Sequence, residues 1–256
     1  MILVIDVGNT NIVLGCFDGE KLVFKARLST NISETVEEYA IKLNSLFSIK
    51  NIDADKFDGA IISSVVPALI DTMSEAVYII CGKKPMTVGP GIKTGFNIKI
   101  DNPGELGADM VVGTAGSIAK YPLPQIVCDL GTAITVSVID KTAIYRGGAI
   151  LCGIKTAYNA LSNKTAQLPQ INLTAPPKAI GTNTVDCMRT GAVYGTSAMI
   201  DGLVKRFEDE LGEKATVILT GGFGEAIAKH CECNPIVDND LLLDGLRIIY
   251  YKNKQR

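Results

Sequence analysis

The chain has 256 residues, 47% hydrophobic and 20% charged, with 25 basic against 27 acidic side chains and a formal net charge of -2. That length suits one large domain or two smaller ones with real cores, and the apolar content excludes a disordered chain. The near-neutral balance argues against nucleic-acid and membrane-surface partners, which recruit a basic excess, and no apolar run reaches the ~20 residues of a membrane span. The sequence opens at once on an apolar strand, Ile2 to Asp6, with no basic segment ahead of it. A signal peptide is therefore not expected, and the protein reads as compact and cytoplasmic.

The first strand runs into Asp6-Val-Gly8-Asn9-Thr10, then a second strand, an Asp18-Gly19 hairpin turn and a third strand from Lys21; glycine tolerates the positive φ of such turns. Apolar positions at helical spacing from Ser33 to Phe47 predict a helix with Ser33 as its N-cap. Phe57 to Val66 predicts a buried strand ending at Pro67, Leu69 to Ile80 a helix, and Pro85 to Val88 a short strand. After a glycine-rich loop from Gly89, a helix is expected from Met110 to Ala119, and Tyr121-Pro-Leu-Pro124 breaks it. Strands then return at Gln125, Ile134 and Ala143, followed by a long helical run from Val185 to Leu211, a strand from Lys214 to Thr220 stopped by Gly221-Gly222, and a closing helix from Asp240 to Tyr251. Alternating strands and helices indicate the α/β class.

Two stretches duplicate one another. Ile2 to Ala26 and Gln125 to Gly147 each run strand, Asp-x-Gly turn, strand, acidic tight turn, strand, with Asp6 and Asp129 separated by close to half the chain. Two similar domains facing each other follow, divided near residues 115–124, giving expected domains of 1–118 and 119–256. One Asp-x-Gly alone reads as a turn. Two in the same strand context read as paired phosphate loops, because glycine lets backbone approach a ligand and the amides and hydroxyls of Asn9-Thr10 and Thr132-Ala133 suit phosphate oxygens. The aspartates suit a charge-neutralising cation. A third candidate, Gly104 to Met110, sets Asp109 at a helix start, where it reads either as an ordinary N-cap or as a functional carboxylate.

Competing motifs are weaker. No Gly-x4-Gly-Lys-Ser/Thr sequence is present, which excludes a P-loop. Gly222-Phe-Gly224 after a strand, with Asp238 downstream, imitates a dinucleotide fingerprint but falls too late for a doubly wound sheet. Seven cysteines, an odd number scattered mostly in apolar stretches such as Ile150 to Cys152, read as buried reduced thiols. His230-Cys231-Glu232-Cys233 reads as a helix end and turn, since a closed zinc site wants a second ligand pair and the sequence shows none. His230 is the only histidine, which leaves no Ser-His-Asp triad away from it.

These motifs in this order resemble the type III pantothenate kinases, of the acetate and sugar kinase/Hsc70/actin superfamily, over residues 1 to about 252. Asp6-Val-Gly-Asn-Thr10 and Asp129-Leu-Gly-Thr-Ala133 match that family's two phosphate loops, and Gly107-Ala108-Asp109-Met110 its Gly-x-Asp-Arg substrate motif. Ile62 to Pro67, Lys93-Thr-Gly, Gly147 to Ile150, Gly181 to Thr184 and Thr220-Gly-Gly222 also resemble it. The resemblance implies two ribonuclease H-like (actin-like ATPase) domains around a central cleft and ATP-dependent phosphorylation of pantothenate, the first step of coenzyme A biosynthesis. It assigns Asp109 as general base, Asp6 to Mg2+ through water, and Asp129 to a monovalent cation (K+ or NH4+). It gives ATP contacts to Asp6, Val7, Gly8, Asn9, Thr10, Asn11, Ile12, Val13, Gly131, Thr132, Gly221 and Gly222. Pantothenate contacts fall on Ile100, Gly107, Ala108, Asp109, Met110 and Thr184, the last delivered from the second subunit of a homodimer. The apolar face of the long helix around 185–211 reads equally as the dimer seam or as core. Two positions depart from the family: Met110 replaces its arginine, whose planar donor fork methionine cannot supply, and Ile100 replaces an aromatic. These departures keep open a nucleotide-binding relative without catalysis, or a kinase for another small hydroxylated acceptor.

Overall fold

The computed structural model describes residues 1–165 and 168–254. They form two compact units: 1–95 with 102–116 and the C-terminal segment, and 96–101 with 117–240. The expected division at 118/119 differs from this in two places, because the closing helix joins the first unit and residues 96–101 join the second.

The first unit is a five-stranded sheet. Strands β1 (Ile2–Val7), β2 (Asn11–Asp18) and β3 (Lys21–Ser29) form an antiparallel meander, and β4 (Gly59–Ser64) and β5 (Met86–Thr87) continue it in parallel from β1, in the order β3-β2-β1-β4-β5. Helices α1 (Val36–Ile49) and α2 (Ile70–Cys81) pack together, and Leu3, Ile5 and Val7 share a buried cluster with Leu43, Phe47 and Met73. α1 starts at a Thr35 capping box rather than at Ser33: Thr35 Oγ1 accepts from Glu38 N at 3.3 Å and Glu38 Oε2 accepts from Thr35 N at 2.8 Å. Two orphan amides satisfied reciprocally outweigh one serine cap.

Helix α3 (Ala108–Lys120) begins in this unit, and α8 (Leu241–Lys254) lies on β1, β2 and β4. The two helices cross at glycines: a β-carbon on Gly116 would stand 2.4 Å from Leu241 O, and one on Gly245 would stand 2.0 Å from Val112 O. Such contact requires the bare backbone of glycine.

The second unit repeats the pattern. Strands β7 (Gln125–Leu130), β8 (Ala133–Ile139) and β9 (Ile144–Cys152) form the meander, with β10 (Thr216–Thr220) and β11 (Ile236–Val237) parallel beyond β7. Strand β6 (Asn97–Ile98) adds to β9, giving the order β11-β10-β7-β8-β9-β6. β7 corresponds to β1 and β10 to β4, so the duplication legible in the sequence is a duplication of topology. At the β8–β9 turn burial pushes the Asp140 carboxyl up, but hydrogen bonds from Thr142, Ile144 and Arg146 outweigh it and hold it at about 2.

Helix α4 (Ile154–Lys164) follows β9, and the long helical run resolves into α5 (Thr184–Thr190), a π-turn over Gly191–Gly195 and α6 (Thr196–Leu211). Ile200 and Val204 of α6 are buried with Ile126 and Leu219, so that apolar face belongs to the unit's own core. Short α7 (Gly224–Ala228) precedes β11. All seven cysteines are free thiols. Burial raises Cys16 to about 12 and Cys81 to about 11. Cys152 and Cys187 are exposed instead, Cys152 because alternate residues of β9 point outward and carry Ile150 with it.

Asp238 shows why the dinucleotide fingerprint fails. Its buried carboxylate holds Lys120 Nζ at 2.6 Å and accepts from the Tyr121 hydroxyl at 2.9 Å and the Asp240 amide at 3.0 Å. Burial pushes its carboxyl up, but these partners outweigh burial and hold it below the usual range. A lowered carboxyl stabilises the fold above its unfolded-state value, about pH 4, and that stability is lost as pH falls through the folded value. Asp238→Ala should therefore cost about 1.5–3 kcal/mol in urea unfolding at neutral pH, and the gap from the wild type should shrink below about pH 4.

Candidate active site

Each phosphate-loop candidate sits where a central strand ends. In the first unit, Asp6 is the penultimate residue of β1, in register with Val13 on β2 and Ser63 on β4. The turn beyond it is closed by Gly8 N donating to Asn11 O at 3.0 Å, and Thr30 Oγ1 donates to Gly8 O at 2.6 Å. Val7 and Ile12, partners across β1 and β2, are buried, while Asn9 and Thr10 are exposed at the tip. The Val65 amide donates to Val7 O at 3.0 Å, joining the end of β4 to the same turn.

The second unit reproduces this. Asp129 is the penultimate residue of β7, in register with Thr135 on β8 and Thr220 on β10. Ser63 and Thr220 are both buried, so each aspartate has a buried hydroxyl residue beside it on the parallel strand. Gly131 N donates to Ala133 O at 3.1 Å, and Thr132 O accepts from Gly153 N at 3.1 Å and Thr156 Oγ1 at 2.8 Å. Two glycines close on this loop. A β-carbon on Gly153 would stand 2.2 Å from Thr132 O, and one on Gly221 would stand 2.5 Å from Asp129 Oδ1. Gly221 also has φ +88, a left-handed conformation, whereas nothing lies within 4 Å of a β-carbon on Gly222. Gly153 and Thr156 escaped the sequence reading: neither lies in an Asp-x-Gly element, and only the folded hairpin brings them to Thr132.

Asp109 stands at the second position of α3. Its Oδ1 accepts from Met110 N at 2.8 Å, and a β-carbon on Gly107 would collide with that oxygen at 2.5 Å. Gly107 is therefore the residue that lets the carboxylate fold back over the helix start. Burial raises the Asp109 carboxyl above the usual range, and the amides of Met110 and Asp109 itself only partly offset this. Ala108 and Met110 flank it in the same first turn, both partly buried.

The remaining acceptor candidates lie in the second unit. Ile100 is 3.9 Å from where a β-carbon on Gly147 would stand, and Gly147 has φ +119. Thr184 is exposed at the start of α5, whose N-cap Asn183 accepts from Asp186 N at 2.9 Å. Nearby Arg189 is engaged with Asp186 at 3.6 Å and with Asn172 O at 3.3 Å.

Two α/β units, each carrying an acidic glycine turn at the end of the same strand of the same sheet, make a duplicated actin-like fold. Two solved structures share the fold. A ROK hexokinase from Thermus thermophilus covers 98% of this chain and 99% of its own, with a TM-score of 0.52 at 15% identity. Component A of (R)-2-hydroxyglutaryl-CoA dehydratase from Acidaminococcus fermentans covers 100% and 99%, with a TM-score of 0.59 at 14% identity. The sequence profile of the type III pantothenate kinase family matches residues 2–206. A protein named type III pantothenate kinase from Exiguobacterium sp. (strain AT1b) is 46% identical over 255 residues, covering 100% of both chains. The chain belongs to the type III pantothenate kinase family.

The two glycines after β10 separate by geometry alone. Gly221→Ala should cost about 1–3 kcal/mol, since it strains the backbone and drives a methyl group into Asp129. Gly222→Ala, whose methyl group meets open space, should shift stability by no more than about 0.5 kcal/mol. Urea denaturation of the two variants checks this.

Proposed function

We propose that the protein transfers the γ-phosphoryl group of ATP to the primary hydroxyl of pantothenate, the first step of coenzyme A biosynthesis. The observation that carries this reading is the twinned Asp-x-Gly turn in a chain of this family. Asp6, Val7, Gly8, Asn9, Thr10, Asn11, Ile12 and Val13 form one nucleotide-binding segment, with Gly131 and Thr132 forming a second and Gly221-Gly222 receiving the adenosine. Asp6 and Asp129 present hard carboxylate oxygens, which fits magnesium and a monovalent cation respectively. A bound cation would neutralise charge on the phosphates. Asp6 would hold magnesium through water, and Asp129 would hold K+ or NH4+.

Asp109 acts as general base. It takes the proton of the acceptor hydroxyl as the oxygen–phosphorus bond forms and the bond to ADP breaks; positioning and charge neutralisation supply the rest. A carboxyl raised by burial is a stronger base than an exposed one, closer to the working pH. Gly107, Ala108 and Met110 in the first unit and Ile100 in the second would each contact pantothenate, with Thr184 delivered by a second copy of the chain.

A coupled assay for ADP with and without pantothenate tests the activity directly. Pantothenate-independent ADP release, or none at all while ATP binds, would favour the nucleotide-binding relative that Met110 leaves open. Asp109→Asn should retain ATP affinity and lose turnover by ~10²-fold or more. The raised carboxyl also fixes a sign. Ionised Asp109 opposes folding above its unfolded-state value, so Asp109→Asn should be as stable as the wild type or more so at neutral pH. The acid limb of the wild-type kcat profile should lie above about pH 4, where an ordinary carboxylate would put it. A limb at or below that value would remove Asp109 from the proton transfer.

The cation assignment is checked by exchange of salts. Turnover should rise when Na+ is replaced by K+ or NH4+, and Asp129→Ala should abolish that response; equal rates in Na+ and K+ would sink it.

A further inference from the structure

Three side chains that phosphoryl transfer does not use meet at one edge of the second unit. Asp201 lies in the first half of α6, and Cys231 and Cys233 lie in the turn between α7 and β11. One ligand atom from each lies within 4.8 Å of the other two. Among the described residues no other three His, Cys, Asp or Glu side chains come so close.

The turn is fixed on α6 rather than merely near it. Asp201 Oδ2 accepts from Glu232 N at 2.9 Å and Oδ1 from Cys233 N at 3.0 Å. Each oxygen keeps a second acceptor site after those bonds. Cys231 is buried, packed in the core with Ile227, and its Sγ is 3.5 Å from Ile227 O. Cys233 is half-buried, so the cluster has one face toward solvent. His230 points elsewhere, its ring edge-on to Tyr194 at 4.9 Å. The second ligand source that the Cys-x-Cys sequence lacked is thus a carboxylate some 30 residues earlier, brought in by α6.

Two sulfurs and one carboxylate oxygen form a donor set for a borderline-soft divalent cation; magnesium and calcium want oxygen alone. Ligand atoms around tetrahedral zinc stand about 3.3–3.8 Å apart, from its usual bond lengths. The 4.8 Å within which these atoms lie exceeds that spacing by about an ångström. Three protein ligands leave a fourth position for water. We propose that Asp201, Cys231 and Cys233 bind one thiophilic divalent cation of the zinc class, clipping the α7–β11 turn to α6. This is separate from the kinase site and does not depend on it.

Titration of the reduced, metal-free full chain with Co2+ tests the proposal, read by thiolate-to-cobalt charge-transfer absorption. One equivalent should bind, with an intensity for two thiolates, and Zn2+ should displace it. Cys233→Ser should weaken binding by at least the ~10-fold that loss of even an outer-shell partner costs. Asp201→Asn should do the same while leaving the thiolate band at saturation. A variant lacking both exposed thiols, Cys152→Ser with Cys187→Ser, should titrate like the wild type. Because Asp201→Asn also loosens the turn, Zn2+ is added in thermal unfolding: it should raise the midpoint of the wild type by more than that of Cys233→Ser. Absence of a charge-transfer band in the wild type would overturn the site. So would its survival in Cys231→Ser with Cys233→Ser, its loss with the exposed thiols, or unchanged affinity in Asp201→Asn.

Discussion

At the end of β7 a carboxylate touches the backbone of the neighbouring strand so closely that a β-carbon on Gly221 would stand 2.5 Å from Asp129 Oδ1. Much of the second unit follows from keeping that approach open. Gly221 must be glycine for its contact and for its φ of +88. Gly153 must be glycine because the end of β9 turns back over the Thr132 carbonyl. Thr220 must end β10 in register with Asp129, since a slip of one residue would turn it to the other face. A charged group at the end of a buried strand is tolerable only because the chain there opens to the surface, at exposed Gly131, Thr132 and Ala133.

The first unit solves the same problem with different residues. Asp6 has Ser63 where Asp129 has Thr220, and a hydroxyl from Thr30 rather than Thr156 seals the turn. The repetition lies in the register and in where the side chains point, while the sealing residues were free to diverge. Asp109 is built on another principle. Its place at the second position of a helix offers it an amide, yet burial dominates and raises the carboxyl. One fold thus carries carboxylates in contrasting electrostatic states: raised at Asp109, lowered at Asp140 and Asp238.

The duplication was legible in the sequence because strand alternation and Asp-x-Gly turns are local signals that survive in both copies. Asp109 and Gly107 were legible for the same reason, being two residues apart. What escaped depends on distance along the chain. Gly153 and Thr156 reach Thr132 only when β8 and β9 pair, and Asp201 meets Cys231 and Cys233 only when α6 packs beside α7. The α1 start was misplaced by two residues because Ser33 and Thr35 are both good caps, and only Glu38 reaching back to Thr35 decides between them. The final helix carries no mark of the unit it joins; the glycine pair Gly116 and Gly245 that docks it is ordinary in sequence and decisive in three dimensions.

That docking has a consequence for how the protein is made. The first unit is begun by residues synthesised before those of the second, yet its β1, β2 and β4 receive helix α8 only when residues 241–254 have been made. The second unit, being nearly continuous in sequence, has all its strands and its long helix some residues earlier. The half of the protein that is translated first is therefore completed last. Until then the face of the sheet that meets Leu243 and Tyr250 is bare, a partly formed state of the kind that chaperones bind during synthesis.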